Sequence, residues 1–159
     1  MRSRDMVSGV VLGGVMAISA AAMGADPSPA DIIKARQGHY KQMGAAMKAI
    51  GDQLKSGTPD RAVVIENAKK IAAFAPQIPK WFPKGTGGEA GVKTAAKQEI
   101  WAQPEDFAAA AAKLPPEADK LVAVTATGDA ASIGDQQKAL VGACAGCHKL
   151  FRVKDEHPQ

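Results

Sequence analysis

The chain has 159 residues, 46% of them hydrophobic but only 4% aromatic, with two cysteines and a formal net charge of +4. That length and apolar content suit one globular domain and exclude a disordered or collagen-like chain. Roughly a fifth of the residues are alanine, against few β-branched and aromatic side chains, a balance that favours closely packed helices over sheets. So few aromatic rings make a thin core for a domain of this size, which raises the question of what else fills it.

Arg2 and Arg4 precede an apolar, small-residue stretch from Met6 to Met23, the pattern of a secretory signal peptide. Ala22 and Gly24 occupy the small positions before a cut after Gly24, so residues 1–24 are expected to be removed and 25–159 to form a single domain. A stretch of about 18 residues rich in Gly, Ser and Ala is marginal for spanning a bilayer of about 30 Å, so the mature form is expected to be free of the membrane. Losing Arg2, Arg4 and Asp5 takes one unit from the net charge. The remaining charges are spread without a block of one sign, which gives no support for nucleic-acid binding, while the slight positive bias suits acidic electron-transfer partners.

Ser28-Pro29-Ala30-Asp31 combines a capping serine, a proline for the first helical position and a carboxylate three residues after the serine. The helix is predicted to run to about Leu54, with Ile33, Arg36, Tyr40, Met43, Met47, Ile50 and Leu54 on its inward face. Gly57 suits a left-handed cap and Thr58 the next N-cap, so a second helix is predicted from Pro59 to Ala75. It buries Val63 or Val64, Asn67 or Ala68, Ile71 and Phe74 before Pro76 and Pro79 stop it. From Pro76 to Lys97 the chain reads as irregular. Trp81, Phe82, Pro83 and the Gly85 to Gly91 cluster make a connection longer than ordinary helix-to-helix loops, the kind that covers something or carries function.

A third helix is predicted from Pro104, with Phe107, Ala111, Leu114, Ala118, Leu121, Val122 and Thr125 buried and a kink or break at Pro115-Pro116. Thr127-Gly128-Asp129 marks a turn into a last helix from Ala130 to Val153. Four helices without a convincing strand indicate an all-α, antiparallel four-helix bundle, with its long middle connection crossing one end.

The last helix carries Cys144-Ala145-Gly146-Cys147-His148, a complete C-x-x-C-H signature that uses both cysteines of the chain. Two such thiols can add to the two vinyl groups of haem while the adjoining imidazole reaches the iron from the same helical segment. Other readings fit less well. A structural zinc site wants four ligands, and His39 and His157 are isolated in sequence. A thioredoxin-like dithiol wants a strand before its helix. A Cys144–Cys147 disulfide closes a very small loop and leaves His148 unexplained.

The C-terminal C-x-x-C-H followed by Lys149-Leu150-Phe151-Arg152, together with Arg36-Gln37-Gly38-His39-Tyr40, Phe82-Pro83-Lys84-Gly85-Thr86 and Glu99-Ile100-Trp101, resembles the class II c-type cytochromes, the cytochrome c prime family. The resemblance implies one covalently bound haem c between the helices, with Cys144 and Cys147 as thioether residues and His148 as axial iron ligand. It implies a distal side furnished by the first helix, and a haem propionate as the partner of Arg36. A methionine stands at the position of Tyr40 in low-spin relatives. Tyrosine there favours a neutral, unligated phenol and five-coordinate iron, since its reference pKa is near 10.

Met43 and Met47 share the face of Tyr40. Packing is their ordinary use, and a shifted register would make Met43 a sixth ligand. His39 points about 100° away and reads as a surface histidine, with sixth ligation as the alternative. Arg152, four residues after His148, is placed to shape the electrostatics of that ligand, a surface salt bridge being the ordinary alternative for it and for Arg36. Together with Trp81 and Phe82 of the middle connection these are the candidate haem-site residues. The expected role is periplasmic electron transfer with redox-protein partners and an iron open to NO and CO. Dedicated gas binding is the alternative, and a catalytic role is disfavoured for want of a distal acid–base pair. Members of the family often pair through their first two helices, which makes a homodimer a candidate assembly.

Overall fold

The computed structural model describes residues 26–154; the expected signal segment and His157 lie outside them. Helix α1 spans Pro29–Lys55. The Ser28 hydroxyl accepts from the Asp31 N–H at 3.2 Å and donates to the Asp31 carboxylate at 2.6 Å. Its inward face is the expected one: Ile33, Arg36, Met43 and Ile50 are buried, and Tyr40, Met47 and Leu54 pack against the core. Gly57, at φ +77°, makes the left-handed exit that a side chain resists.

Helix α2 covers Arg61–Phe74, two residues later than expected, because its cap is Asp60 and not Thr58. The Asp60 carboxylate accepts from the N–H groups of Ala62 (2.9 Å) and Val63 (3.4 Å), while the Asp60 N–H donates to Gln53 Oε1 of α1 at 2.8 Å. An aspartate that satisfies two orphan N–H groups and is itself pinned to the preceding helix outcompetes the threonine. Val64, Ala68 and Ile71 are buried, resolving the open pairs in favour of Val64 and Ala68.

The stretch after α2 is more ordered than the sequence suggested. The chain tightens into a 3-10 helix over Ala75–Trp81, which accommodates Pro76 and Pro79, and makes a further 3-10 turn at Gly88–Ala90. The third long helix is divided. A one-turn helix α3 (Glu99–Ala102) leads into α4 (Pro104–Ala111) and α5 (Leu114–Thr127). The break falls at Ala112 and Lys113, so Pro115 and Pro116 sit in the first turn of α5, where a missing N–H costs no hydrogen bond. Helix α6 (Ala130–Phe151) starts on Asp129, which accepts from the Ser132 N–H at 2.8 Å, and stops two residues short of Val153. Arg152 leaves the helix to form an isolated antiparallel bridge with Ala96; among the described residues there is no strand.

Packing closes the expected bundle: α1 lies on α2, α2 on α5, α5 on α6 and α6 on α1. Short connections join α1 to α2 and α5 to α6, while α3 and α4 cross an end and pack on α6. Where α1 meets α6 the approach is close. A Cβ on Gly51 would stand 3.4 Å from Gln137 Nε2, and that amide donates to Met47 O at 3.0 Å.

The aromatic residues are not spread through this core. All seven form one continuous array: Phe74 to Trp81 (5.9 Å between centroids), Trp81 to Tyr40 (5.4 Å), Tyr40 to Phe82 (6.4 Å), Phe82 to Trp101 and Phe107 (6.2 and 5.1 Å), and Phe107 to Phe151 (5.3 Å). Away from the array the bundle closes on Ile, Leu, Val and Ala, such as Ile33, Val64, Ala118, Leu121 and Leu140. Small side chains let helices close up there, and large rings frame the space that remains.

Candidate functional site

That space is a cavity of about 560 Å³, within the range of small-molecule and cofactor sites. Helix α6 lines it with Ala143, Cys144, Cys147, His148 and Phe151, because positions three and four apart share one helical face. Helix α1 supplies Arg36, Gln37, Tyr40, Lys41, Met43 and Met47, and the remainder comes from Ile71, Ile78, Phe82, the 94–96 loop, Ile100, Phe107 and the α4–α5 corner. The lining is chiefly apolar, with cationic side chains among it.

Both cysteines are free and half-buried, and burial pushes their thiols above the usual range, so they stand as S–H groups. The His148 imidazole is pushed down, chiefly by burial and then by the Arg152 charge, which favours the neutral form that can donate a lone pair to a metal. Burial pushes the Tyr40 phenol well up against the opposing pull of Arg36, so Tyr40 stays protonated. Met43 is buried beside it in the lining.

Arg36 is only 2% exposed, and among the described residues it makes no ion pair. Its Nη1 donates to Thr86 Oγ1 (3.0 Å), its Nη2 donates to Thr86 O (2.7 Å) and Thr94 Oγ1 (2.8 Å), and its Cζ lies 4.5 Å from the centre of the Phe82 ring. These bonds satisfy most of a buried cation and bind the middle connection to α1. Thr86, 1% exposed, turns its own hydroxyl to Pro83 O at 2.7 Å. Gln37 adds a bond to Lys93 O (3.0 Å), and Trp101 Nε1 donates to Phe82 O and Pro83 O, both at 3.1 Å. The far end of the connection is tied to α6 by Lys97 N to Phe151 O (3.0 Å) and Val153 N to Ala95 O (2.8 Å). The long connection is thus a wall of the cavity.

In the sequence Thr86 stands out only as the last residue of the Phe82–Thr86 stretch and Thr94 not at all, so neither is expected there as a partner of Arg36. The signal was Arg36 itself, since an arginine on a buried seam requires acceptors from elsewhere in the chain. Arg152 lies in the lining at the end of α6. Trp81 stands outside the lining, edge-on to Tyr40. His39 is corrected: it is not a free surface histidine. The 3-10 segment after α2 folds against that flank of α1, so the imidazole lies 4.6 Å from Trp81 and 5.3 Å from Phe74, with Nδ1 enclosed and without a hydrogen-bond partner. It is also outside the cavity lining.

An apolar cavity of this size with two thiols and an imidazole on one wall and cations among its lining fits a haem, a flat and mostly apolar group with an acidic edge. A four-helix bundle with this site defines a c-type haem protein. The cytochrome c' family profile matches residues 31–152. Cytochrome c' of Pararhodospirillum photometricum is 37% identical over 125 residues, covering 79% of this chain and 98% of that one. Cytochrome c' of Rhodospirillum rubrum is 34% identical over 144 residues, covering 91% and 97%. A solved cytochrome c' with a ligand-controlled dimer dissociation superposes with a TM-score of 0.75 at 33% identity, covering 82% of this chain and all of that one. The chain belongs to the cytochrome c' family, and its cofactor is haem c.

Proposed function

We propose that this protein is an exported, periplasmic electron carrier whose single haem iron is five-coordinate and open to NO and CO. Cys144 and Cys147 are the attachment residues: each S–H adds across one vinyl C=C, so no oxidant is required. His148 is the axial ligand. Arg36 serves the haem's charged edge, Arg152 shapes the electrostatics around His148, and Phe82 and Met43 pack against the macrocycle, with Trp81 backing Tyr40. The haem supplies the one-electron couple. The chain's own part is to attach and orient it, exclude water from it and hold the charges around it.

One observation carries the five-coordinate reading: the α1 residue in the lining at the place of a ligating methionine is Tyr40, kept as a neutral phenol by burial. His39 as sixth ligand is disfavoured by its position outside the lining. For the same reason no peroxidase-like acid–base pair enters the reading. The Arg2 and Arg4 charges before the apolar Met6–Met23 stretch support export. The relative described by its ligand-controlled dimer dissociation supports a homodimer as the assembly. A dedicated gas-binding role uses the same open iron, and reduction by a redox-protein partner at a rate beyond that of small reductants separates carrier from gas binder.

The test is an optical spectrum of the mature protein, ferric and ferrous, with and without carbon monoxide. High-spin bands and a carbon monoxide response are expected, with Tyr40→Met moving the spectrum toward low spin and His148→Ala abolishing normal ligation. A sulfur-to-iron band in the wild type, or no change on Tyr40→Met, overturns the assignment of Tyr40.

A further inference from the structure

Among the described residues the permanently charged side chains in the cavity lining are all cationic: Arg36, Lys41 and Arg152 reach it, and no described aspartate or glutamate does. An apolar chamber with a one-signed rim complements a ligand with an apolar body and an anionic edge, which in a haem is the pair of propionates.

The cations differ in how far they are committed. Arg36 has given three of its donor contacts to Thr86 and Thr94, leaving two of its five N–H groups for a further acceptor. Lys41 is the reverse case. It follows Tyr40 on α1, its side chain is exposed, and among the described residues it makes no hydrogen bond and no ion pair. Its helical neighbours three and four positions away are Gln37, Gly38, Gly44 and Ala45, none of them acidic. The ion-paired lysines of this bundle all take a helical acid: Lys48 with Asp52, Lys70 with Glu66, Lys120 with Glu117 and Lys138 with Asp135. Other exposed lysines, Lys69 among them, also lack an acid, but among the described lysines Lys41 is the one in the cavity lining, with Gln37 beside it already bound to the Lys93 carbonyl.

We propose that Lys41 is the ion-pair partner of one haem propionate, the two remaining donors of Arg36 serving the other. The proposal rests on the haem reading above. A lysine stem lying along the apolar wall with its ammonium at the water boundary suits this task, because the head can meet a carboxylate at the cavity mouth without being buried. The pairing orients the cofactor's acidic edge, and it places a positive charge where it favours the ferrous state, which carries one positive charge fewer than the ferric.

Resonance Raman spectra of the ferric holoprotein test this through the propionate-bending bands. Lys41→Gln is expected to shift one of the two bands, Lys41→Arg to restore it, and Lys69→Gln, an exposed lysine of α2 outside the cavity, to leave both unchanged. In the same samples Lys41→Gln should raise the ferric-to-ferrous ratio at fixed potential by about twofold or more, because the charge it removes favours the ferrous state. Unmoved bands in Lys41→Gln, with a wild-type absorption spectrum, overturn the pairing, as does an equal shift in Lys69→Gln. A wild-type protein that gives no c-type pyridine haemochrome overturns instead the haem reading on which the pairing depends.

Discussion

Replacing Thr86 by valine tests whether Arg36 holds the middle connection in place. The two side chains are close in volume, so the substitution removes polar atoms and leaves no cavity. Two hydrogen bonds are lost, from Arg36 Nη1 to Thr86 Oγ1 at 3.0 Å and from Thr86 Oγ1 to Pro83 O at 2.7 Å. A bond to a charged donor contributes about 1.5–3 kcal/mol and a neutral one about 0.5–1.5 kcal/mol. Nη2 keeps Thr86 O and Thr94, which holds the loss toward the low end, and the added methyl recovers up to about 0.8 kcal/mol. The expected net cost is about 2 kcal/mol, a fall in midpoint temperature of roughly 4–8 °C for a domain of this size. Thermal and urea unfolding of the holoprotein, followed by far-ultraviolet circular dichroism, measure it. Thr86→Ser, which keeps the hydroxyl, should lose less than Thr86→Val. A loss below about 0.5 kcal/mol with an unchanged urea m-value would refute the reasoning, because a buried guanidinium cannot give up an acceptor at so small a cost.

Gly128→Ala should destabilise the α5–α6 turn by about 1–3 kcal/mol, since a Cβ there would stand 2.6 Å from Val124 O and the backbone must move to admit it; a urea midpoint equal to that of the wild type would contradict the geometry. Stability should also fall in acid. The carboxyls of Asp31, Glu117 and Asp129 are held below the usual carboxylate range by, in turn, the Ser28 hydroxyl, the Lys120 ammonium and the Ser132 N–H. Their folded pKa values lie below the unfolded ones, so the stability they lend is complete above about pH 4 and is lost as pH drops through the lower folded values. Asp129→Asn should flatten that loss in unfolding measured against pH, and a wild-type stability that stays level below pH 4 would rule the linkage out.

Much of the site was legible in the sequence because it depends on local spacing. Cys144, Cys147 and His148 fall on one face of α6 by helical geometry alone, and the Arg36, Tyr40, Met43 and Met47 stripe follows from the same periodicity along α1. Capping was legible where one residue satisfied the rule, as at Ser28, and misread where two competed, as at Thr58 and Asp60, while at Asp129 the sequence marked the turn and the start of the helix without naming the cap. The position of His39 was misjudged for a different reason. A helical wheel gives the direction of a side chain, but what covers that direction depended on a 3-10 segment some forty residues away.

The sequence by itself determined the helices, the bundle and the chemistry of the C-x-x-C-H segment, because propensity, periodicity and covalent spacing act over a few residues. Only the tertiary structure decided that all seven aromatic rings join in one array, with Tyr40, Phe82, Phe107 and Phe151 in the cavity lining, and that among the described residues the permanent charges of that lining are cationic. It also decided that Arg36 spends most of its hydrogen bonds on Thr86 and Thr94. Those contacts join residues fifty or more positions apart or on different elements, and they form only where the folded chain must satisfy a buried charge and frame a space its small side chains leave open.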